Sequence, residues 1–338
     1  MKSRTMGWAA GGLLVATMAL SACGGGSDEA TPDGSLEARA QSEGSVNWYT
    51  GLDPTTAQAV ADAFQQETGV SVQVVRAASG ELLQRYDGEK RAGKVVADVL
   101  STPERGVYEN GVNSGEFVAL AGEEGLDSLE GWPQDALEFE TAAHISINPA
   151  VIGFNTDQVG DPARLSSWEG LLDFDGPLAV PEWQASPFNL TVLNLWQQEY
   201  GDDFLQAVAQ LDSSTYASGV TGAQALASGE QAVLAPTAVG FLKPLMDQGA
   251  PIDYVIPDVT TGSVVYSAIV ADAPHPSAAR LFMNFLMSVD GQTLINSAGG
   301  ASVLPEVTGD LELGDGYLVI DQSESVAKRE ELVAQVTR

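Results

Sequence analysis

Hydrophobic and polar positions along this chain follow two periods, one typical of strands and the other typical of helices. The run "SVNWYT" from Ser45 is a short apolar strand signal, and "DPTTAQAVADAFQQETG" follows it. Asp53 suits the cap of a helix, Pro54 its first turn and Gly69 its end. The apolar residues of this second segment recur at helical spacing: Ala57, Val60, Ala61 and Phe64. The pattern therefore predicts a strand followed by an amphipathic helix.

The next segments continue the alternation. "VSVQVVRA" reads as a strand, "SGELLQRYDGEKRAG" as a helix with Ser79 near its cap, and "KVVADVLST" as a third strand. Strands that alternate with helices predict a βαβαβ unit, in which a parallel sheet carries helices on both faces.

The middle and the end of the chain repeat this theme. "GPLAVPEW" and "QAVLAP" predict strands, and "SPFNLTVLNLWQQEYG", "GVTGAQALASGE" and "VGFLKPLMDQG" predict helices. Ser186 and Pro187 suit the start of the first of these helices. "GSVVYSAIVADAPHPSAARLFMNFLMSVDGQTLINSAGG" then predicts a long strand and further helices. The fold class expected is α/β with two lobes, each a doubly wound, mostly parallel sheet.

The first residues have a different organisation. "MKSRTMGWAAGGLLVATMALSA" places Lys2 and Arg4 before an apolar run and small residues, which is the layout of a secretory signal peptide. The apolar run is shorter than the roughly 17 to 25 residues of a membrane-spanning helix. We therefore expect residues 1–22 to be a signal peptide.

The lone cysteine follows this segment directly. Leu20-Ser21-Ala22-Cys23 resembles the bacterial lipobox, and the resemblance implies that Cys23 is lipidated. A plain signal peptide with an incidental cysteine is the alternative. With one cysteine the chain has no internal disulfide, so the fold depends on its core. Residues 23–44 are small, polar and acidic, which predicts a flexible tether.

Charge excludes some partners. The 46 Asp and Glu residues outnumber the 15 Lys and Arg residues, which gives a net charge of −31. Such a charge opposes nucleic acids and anionic lipid surfaces. We expect no nucleic-acid partner.

The stretch from Val46 to Thr102 resembles the N-terminal lobe of bacterial ABC-importer substrate-binding proteins, in the group that includes ferric-iron, thiamine, phosphonate and polyamine binders. "AVIGFNTDQV", "ALASGEQAVLAPTAVGF" and "HPSAARLFMNFLMSVDGQTLI" are similar to later parts of the same family in the same order. The resemblance implies a type II periplasmic-binding fold, with lobe 1 at residues 45–152 plus 258–338 and lobe 2 at residues 153–257. It also implies a hinge of crossing strands and a ligand between the lobes.

The expected ligand site follows from the family and from a general rule, because ligands of open α/β sheets bind at the carboxyl ends of strands beside helix N-termini. In "AASGE", Ser79 and Gly80 open a helix, so a hydroxyl and N–H groups can hold an oxyanion. Ser79 as a plain helix cap is the alternative. Aromatic residues after strands, Tyr216 among them, can stack on a ligand or pack in the core. The predicted ligand-binding residues are Tyr49, Thr50, Ser79, Gly80, Glu81, Ser101, Thr102, Trp183, Ser186, Asn189, Thr237 and Tyr266.

Ferric binders of this family commonly place adjacent tyrosines after the last strand of the second lobe. Here that place reads Thr237-Ala238-Val239, and Phe154 stands where a further tyrosine is often found. We therefore expect no metal at a tyrosinate site. Iron bound as a chelate, or through Tyr49, Glu182 or Tyr266, stays open as the alternative.

The sequence contains no complete motif that is typical of an enzyme. "GEKRAGKV" has the spacing of a phosphate loop but lacks the following Ser or Thr and does not follow a strand. His144 and His275 stand beside no serine or cysteine motif for nucleophilic catalysis. We expect no enzyme and no cofactor.

The sequence thus predicts a lipid-anchored, extracytoplasmic and monomeric substrate-binding component of an ABC importer. The resemblance implies a membrane permease and a separate cytoplasmic ATPase as partners. The favoured ligand is a small organic anion or zwitterion, such as a phosphonate, phosphate ester or carboxylate. Ferric iron is the alternative within the family, and an extracytoplasmic sensor without transport is the alternative of another class.

Overall fold

The fold is a mixed α/β structure built on one long, curled sheet. The computed structural model describes residues 34–77, 79–307, 311 and 313–337. Cys23 and the predicted signal peptide lie outside these ranges. The strands are β1 Ser45–Thr50, β2 Ser71–Arg76, β3 Val99–Thr102, β4 Leu137–Glu138, β5 Ala142–Asn155, β6 Leu178–Pro181, β7 Ser213–Tyr216, β8 Val233–Ala238, β9 Ile252–Val255 and β10 Gly262–Ile269.

The helices begin and end where the sequence supplies caps. The predicted cap Asp53 accepts hydrogen bonds from the N–H groups of Thr55 and Thr56, at 2.8 and 3.3 Å, and Gly69 ends the helix in the left-handed conformation. The helices are α1 Leu36–Glu43, α2 Pro54–Thr68, α3 Ser79–Arg91, α4 Arg105–Ser114, α5 Pro187–Tyr200, α6 Asp202–Gln210, α7 Gly219–Ala227, α8 Val239–Asp247, α9 Pro276–Met287, α10 Val289–Asn296, α11 Gln322–Ala327 and α12 Arg329–Val336.

The strand order is β2-β1-β3-β10-β5-β8-β6-β7, with β4 and β9 also paired to β5. The outer pairs β1–β2, β1–β3, β6–β7 and β6–β8 are parallel. The central pairs that involve β5 and β10 are antiparallel. We call β1–β4 and β10 the first sheet region and β6–β9 the second sheet region. Strand β5 runs through both, and the predicted α/β fold class is confirmed.

Apolar side chains are buried on both faces of each sheet region. In the first region, Trp48, Phe64 and Phe282 pack on one face, where Phe282 makes edge-on ring contacts with both other residues. In the second region, Trp168 and Trp196 pack together with their ring centroids 5.1 Å apart. Helices on both faces therefore enclose a core in each region. No helix within the described ranges is long and apolar enough to cross a bilayer.

Within the segment predicted as a flexible tether, only residues 34–44 are described, and these differ from that prediction. Its end forms α1, in which Ala40 is fully buried. The carboxylate of Glu43 accepts hydrogen bonds from the N–H groups of Ser277 and Ala278 at 3.1 and 2.7 Å, which caps the start of α9. A short polar helix has little local signal, and this long-range cap stabilises it.

The end of the chain also lies elsewhere than predicted. Residues 258–338 were expected to belong entirely to lobe 1, but α11 and α12 pack on α5 and α6 of the second sheet region. Leu332 and Val336 are buried in that core, and Asn194 Nδ2 donates to Ser325 Oγ at 3.1 Å. Leu332 and Val336 stand four residues apart and share one face of α12, but this spacing does not indicate which region that face covers.

Candidate functional site

A cavity of about 710 Å³ lies where the two sheet regions meet. The first region contributes Gly51, Asp53 and Arg76, and the strands β5 and β10 contribute Asn148 and Ser263. The second region supplies the remaining wall, which consists of Pro181, Ala185, Ser186, Phe188, Asn189, Tyr216, Ala217, Ser218, Gly219, Leu234, Pro236, Thr237, Ala238, Gly240 and Phe241.

Three helices begin at this wall because β6, β7 and β8 all end there. The hydroxyl of Ser186 caps α5 by accepting from the N–H group of Asn189 at 3.3 Å, and Ser218 caps α7 through Thr221 N–H at 3.2 Å. Helix α8 starts after Ala238, which has no side chain able to cap it. Its first N–H groups are therefore available to an oxyanion, and the dipoles of the helices favour negative charge.

Thr237 is the last polar residue of β8, two positions before α8 begins. It is one of the lining residues of the cavity, it is only 3% exposed, and its Oγ1 is buried without a hydrogen-bond partner. A buried hydroxyl without a partner costs free energy. A ligand oxygen that reaches this group, beside the uncapped N–H groups of α8, would satisfy it.

The first sheet region supplies the charged side chains of the cavity. Arg76 ends β2, is exposed, and donates from Nε to the carbonyl oxygen of Leu52 at 3.3 Å. Asp53 faces the same cavity, but its carboxylate caps α2. The positive charge of Arg76 has the same sign as the partial charge of the helix N-termini on the opposite wall, so both favour an anion between them.

Part of the cavity wall is apolar. Phe241 is 42% exposed, Phe188 is half-buried, and Leu234 lies beside them in the lining. A Cβ atom at Gly219 would lie 2.3 Å from the ring of Phe241, so the close approach of α7 to this ring requires glycine.

Of the predicted ligand-binding residues, Ser186, Asn189 and Thr237 line this cavity. Asn189 also donates from Nδ2 to the carbonyl oxygen of Glu182 at 3.0 Å, which holds the turn before α5.

The predicted aromatic residues lie in the core instead. Tyr49 is fully buried and donates to Glu89 at 2.6 Å, and burial together with this hydrogen bond raises its pKa to about 12. Trp183 packs edge-on against Trp196, and Tyr266 packs edge-on against His144. These rings stabilise the two sheet regions and do not face the cavity.

Three predicted hydroxyl residues are also engaged inside the protein. Ser101 Oγ accepts from the indole of Trp48 at 2.8 Å, and Thr50 Oγ1 accepts from Leu52 N–H at 3.2 Å. The N–H group of Thr102 donates to the Tyr108 hydroxyl at 3.0 Å. All three are fully buried, so their hydrogen bonds hold strand ends in place.

Ser79, the first candidate of the "AASGE" segment, lies just behind the cavity wall. A Cβ atom at the lining residue Gly51 would lie 3.6 Å from Ser79 Oγ, while Gly80 and Glu81 are exposed on the first turn of α3. Burial raises the pKa of the Glu104 carboxyl group, and the nearby Ser79 hydroxyl partly opposes this by lowering that pKa. Ser79 therefore connects the wall to a half-buried acid that the sequence analysis did not select.

Several lining residues were missed by the sequence analysis. Ser218 follows a strand and caps a helix, which is the same signal that identified Ser186. Arg76 ends β2 on the same edge, so the rule of strand carboxyl ends applied to it as well. Asn148 and Ser263 stand inside strands and are brought opposite each other only by the β5–β10 register.

A curled α/β sheet with a cavity where its two regions meet is typical of solute-binding proteins that have two lobes. The chain belongs to the family of bacterial extracellular solute-binding proteins, whose model matches residues 49–300. The protein is therefore extracytoplasmic, and its family is one of binding proteins, not enzymes. No curated protein is similar enough in sequence to count as a match.

Solved structures share the fold at low identity. Iron-bound HitA from Pseudomonas aeruginosa is 19% identical with a TM-score of 0.68, and the match covers 85% of this chain and 99% of that one. The iron and citrate complex of IdiA (FutA) from Trichodesmium is 18% identical, with a TM-score of 0.68 and coverage of 86% and 98%. An ABC-transporter substrate-binding protein from Agrobacterium tumefaciens is 18% identical, with a TM-score of 0.70 and coverage of 86% and 94%.

Proposed function

We propose that this protein is the solute-binding component of an ABC importer and captures a small organic anion or zwitterion in the cavity between its two sheet regions. Phosphonates, phosphate esters and carboxylates are the classes expected. The observation that carries this proposal is the unpartnered, buried hydroxyl of Thr237 beside the uncapped start of α8.

The charges of the cavity support an anion. Helix N-termini form one wall, and the guanidinium group of Arg76 lies on the other. These groups act together at short range, although the chain as a whole carries a charge of −31. A local site can differ in sign from the whole protein because water and salt screen distant charges.

Ligand capture would couple to closure. The cavity is lined from both sheet regions, and β5 connects them at its middle, where its partner changes from β10 to β8. A ligand that contacts both walls favours the closed arrangement over the open one. The regions would then act as the two lobes expected from the sequence, with α11 and α12 moving with the second region.

Ferric iron is the second candidate, because HitA and IdiA (FutA) have the same fold. Tyr216 lines the cavity, but its hydroxyl donates to Glu230 at 2.9 Å and accepts from Gln231 at 3.2 Å. Burial and the Glu230 hydrogen bond raise the pKa of Tyr216, which disfavours the phenolate that Fe(III) prefers. Bare iron is therefore the weaker candidate, and an iron chelate would bind as an anion.

The remaining parts of the proposal concern the membrane. The lipobox-like segment supports a lipid anchor at Cys23, with a permease and a separate cytoplasmic ATPase as partners. We propose a monomer, since one cavity within one chain is sufficient for capture. A sensor role would use the same cavity, and uptake assays in a strain that lacks this protein distinguish import from sensing.

The test is thermal unfolding of residues 24–338 with a panel of phosphonates, phosphate esters, carboxylates, thiamine, polyamines and ferric citrate. A ligand at about a hundred times its dissociation constant adds roughly 2.7 kcal/mol to the stability of the folded state. We expect stabilisation by members of the anion classes. Stabilisation by polyamines alone, or by ferric ion without citrate, would contradict the proposed anion site.

A further inference from the structure

The cavity is larger and more apolar than a small inorganic ion requires. We propose that the ligand is an amphipathic organic anion, with its oxyanion head at Thr237 and the start of α8 and a flat apolar body against Phe188 and Phe241. This inference rests on the proposed function and names the chemistry of its ligand more closely.

The volume sets the size of the ligand. A cavity of about 710 Å³ lies inside the range of roughly 300 to 1,000 Å³ that is typical of pockets for drug-sized molecules. An oxyanion such as phosphate, or a single metal ion, would leave most of this space to water. The free volume beyond the head group is therefore available to an organic substituent.

The position of the head group follows from the polar atoms. Thr237 Oγ1 is buried and unpartnered, and α8 begins at the next turn of the chain without a side-chain cap. These donors lie together at the carboxyl end of β8. An oxygen atom there would satisfy the hydroxyl and accept from the free N–H groups.

The position of the body follows from the rings. Phe241 follows that same helix start and leaves 42% of its surface exposed, while Phe188 enters the cavity from the first turn of α5. An exposed aromatic ring inside a cavity gains free energy when an apolar group covers it. The hydroxyl of Tyr216 is engaged with Glu230 and Gln231, so this residue also offers its ring rather than its polar atom.

The test compares ligands that share a head group and differ in the body. Calorimetry would measure methylphosphonate against benzylphosphonate, acetate against phenylacetate, and methyl phosphate against phenyl phosphate, with benzyl alcohol as the neutral body alone. We expect at least one aromatic anion to bind at least tenfold more tightly than its methyl partner, because roughly 100 Å² of apolar surface would be removed from water. Benzyl alcohol should bind weakly.

Substitutions at Phe241 and Thr237 test the contact with the apolar body and the contact with the head group separately. Phe241→Ala should reduce several-fold the ratio by which the aromatic anion binds more tightly than its methyl partner. Val112→Ala is the control, because Val112 is also 42% exposed but lies on α4 outside the cavity lining. This control should leave the ratio unchanged. Thr237→Val should weaken the aromatic and methyl anions by the same factor. Phe241 is half-exposed, so its variant is expected to fold.

Two results would overturn the inference and can be told apart. Equal affinity within every pair would refute the apolar body while leaving an anion-binding protein. Failure of all six anions to bind would refute the amphipathic anion together with the proposed function.

Discussion

Replacing Thr237 with valine tests the central feature of the site, because valine keeps the shape of threonine and removes the hydroxyl. Thr237 is 3% exposed and its buried hydroxyl has no partner, and a buried unsatisfied group costs about 1–3 kcal/mol. The empty variant should therefore be more stable than the parent by about 1 kcal/mol. For a chain of this size the melting temperature should rise by about 2 °C.

The same substitution should weaken ligand binding. A hydrogen bond to a charged group contributes about 1.5–3 kcal/mol, so the affinity for the best anion should fall roughly 10-fold to 100-fold. Calorimetric unfolding of the empty protein and titration of the ligand measure the two effects separately. A gain in stability with a loss of affinity is characteristic of a binding residue rather than a structural one.

Thr141→Val is the matched control. Thr141 is also buried, 6% exposed, and its hydroxyl also lacks a partner, but it lies outside the cavity lining. We expect this variant to be stabilised similarly with unchanged affinity. The reasoning would be refuted if Thr237→Val lowered the stability of the empty protein, or if it changed affinity no more than Thr141→Val.

Three further predictions concern other parts of the molecule. Arg76→Gln should weaken anion binding about tenfold and reduce its salt dependence. Arg91→Gln, at an exposed residue of α3, should change neither the affinity nor its salt dependence, and titrations at two ionic strengths measure both. Glu43→Gln weakens the cap of α9 and should destabilise the protein by about 1 kcal/mol and expose α1 to proteolysis; unchanged cleavage would contradict the docked helix. Burial lowers the pKa of His144 despite Glu138 at 3.6 Å, so the unfolded chain binds a proton near pH 6.5 that the folded chain does not. Stability should therefore fall as the pH drops below about 6.5, and urea unfolding of His144→Gln should show a flatter profile over that window.

Much of this protein is determined by local sequence. The caps and the 3.6-residue period predicted α2 and α5 correctly, because Asp53 and Ser186 satisfy N–H groups within a few residues of themselves. The alternation of strands and helices predicted the α/β class, since each parallel strand needs a crossover helix. The sequence also predicted Thr237 at the carboxyl end of a strand, and the structure places it at the end of β8 among the lining residues of the cavity.

Tertiary structure decided the properties that depend on distant partners. Helix α1 forms because Glu43 meets the start of α9, and α12 covers the second sheet region because Leu332 and Val336 reach its core. Tyr49 lies near the end of β1 as Thr237 lies near the end of β8, yet the Tyr49 side chain turns into the core. Trp183, after β6, does the same. A local pattern determines which face of an element is apolar. It does not determine what that face meets, because the partner is chosen by contacts between residues far apart in the chain.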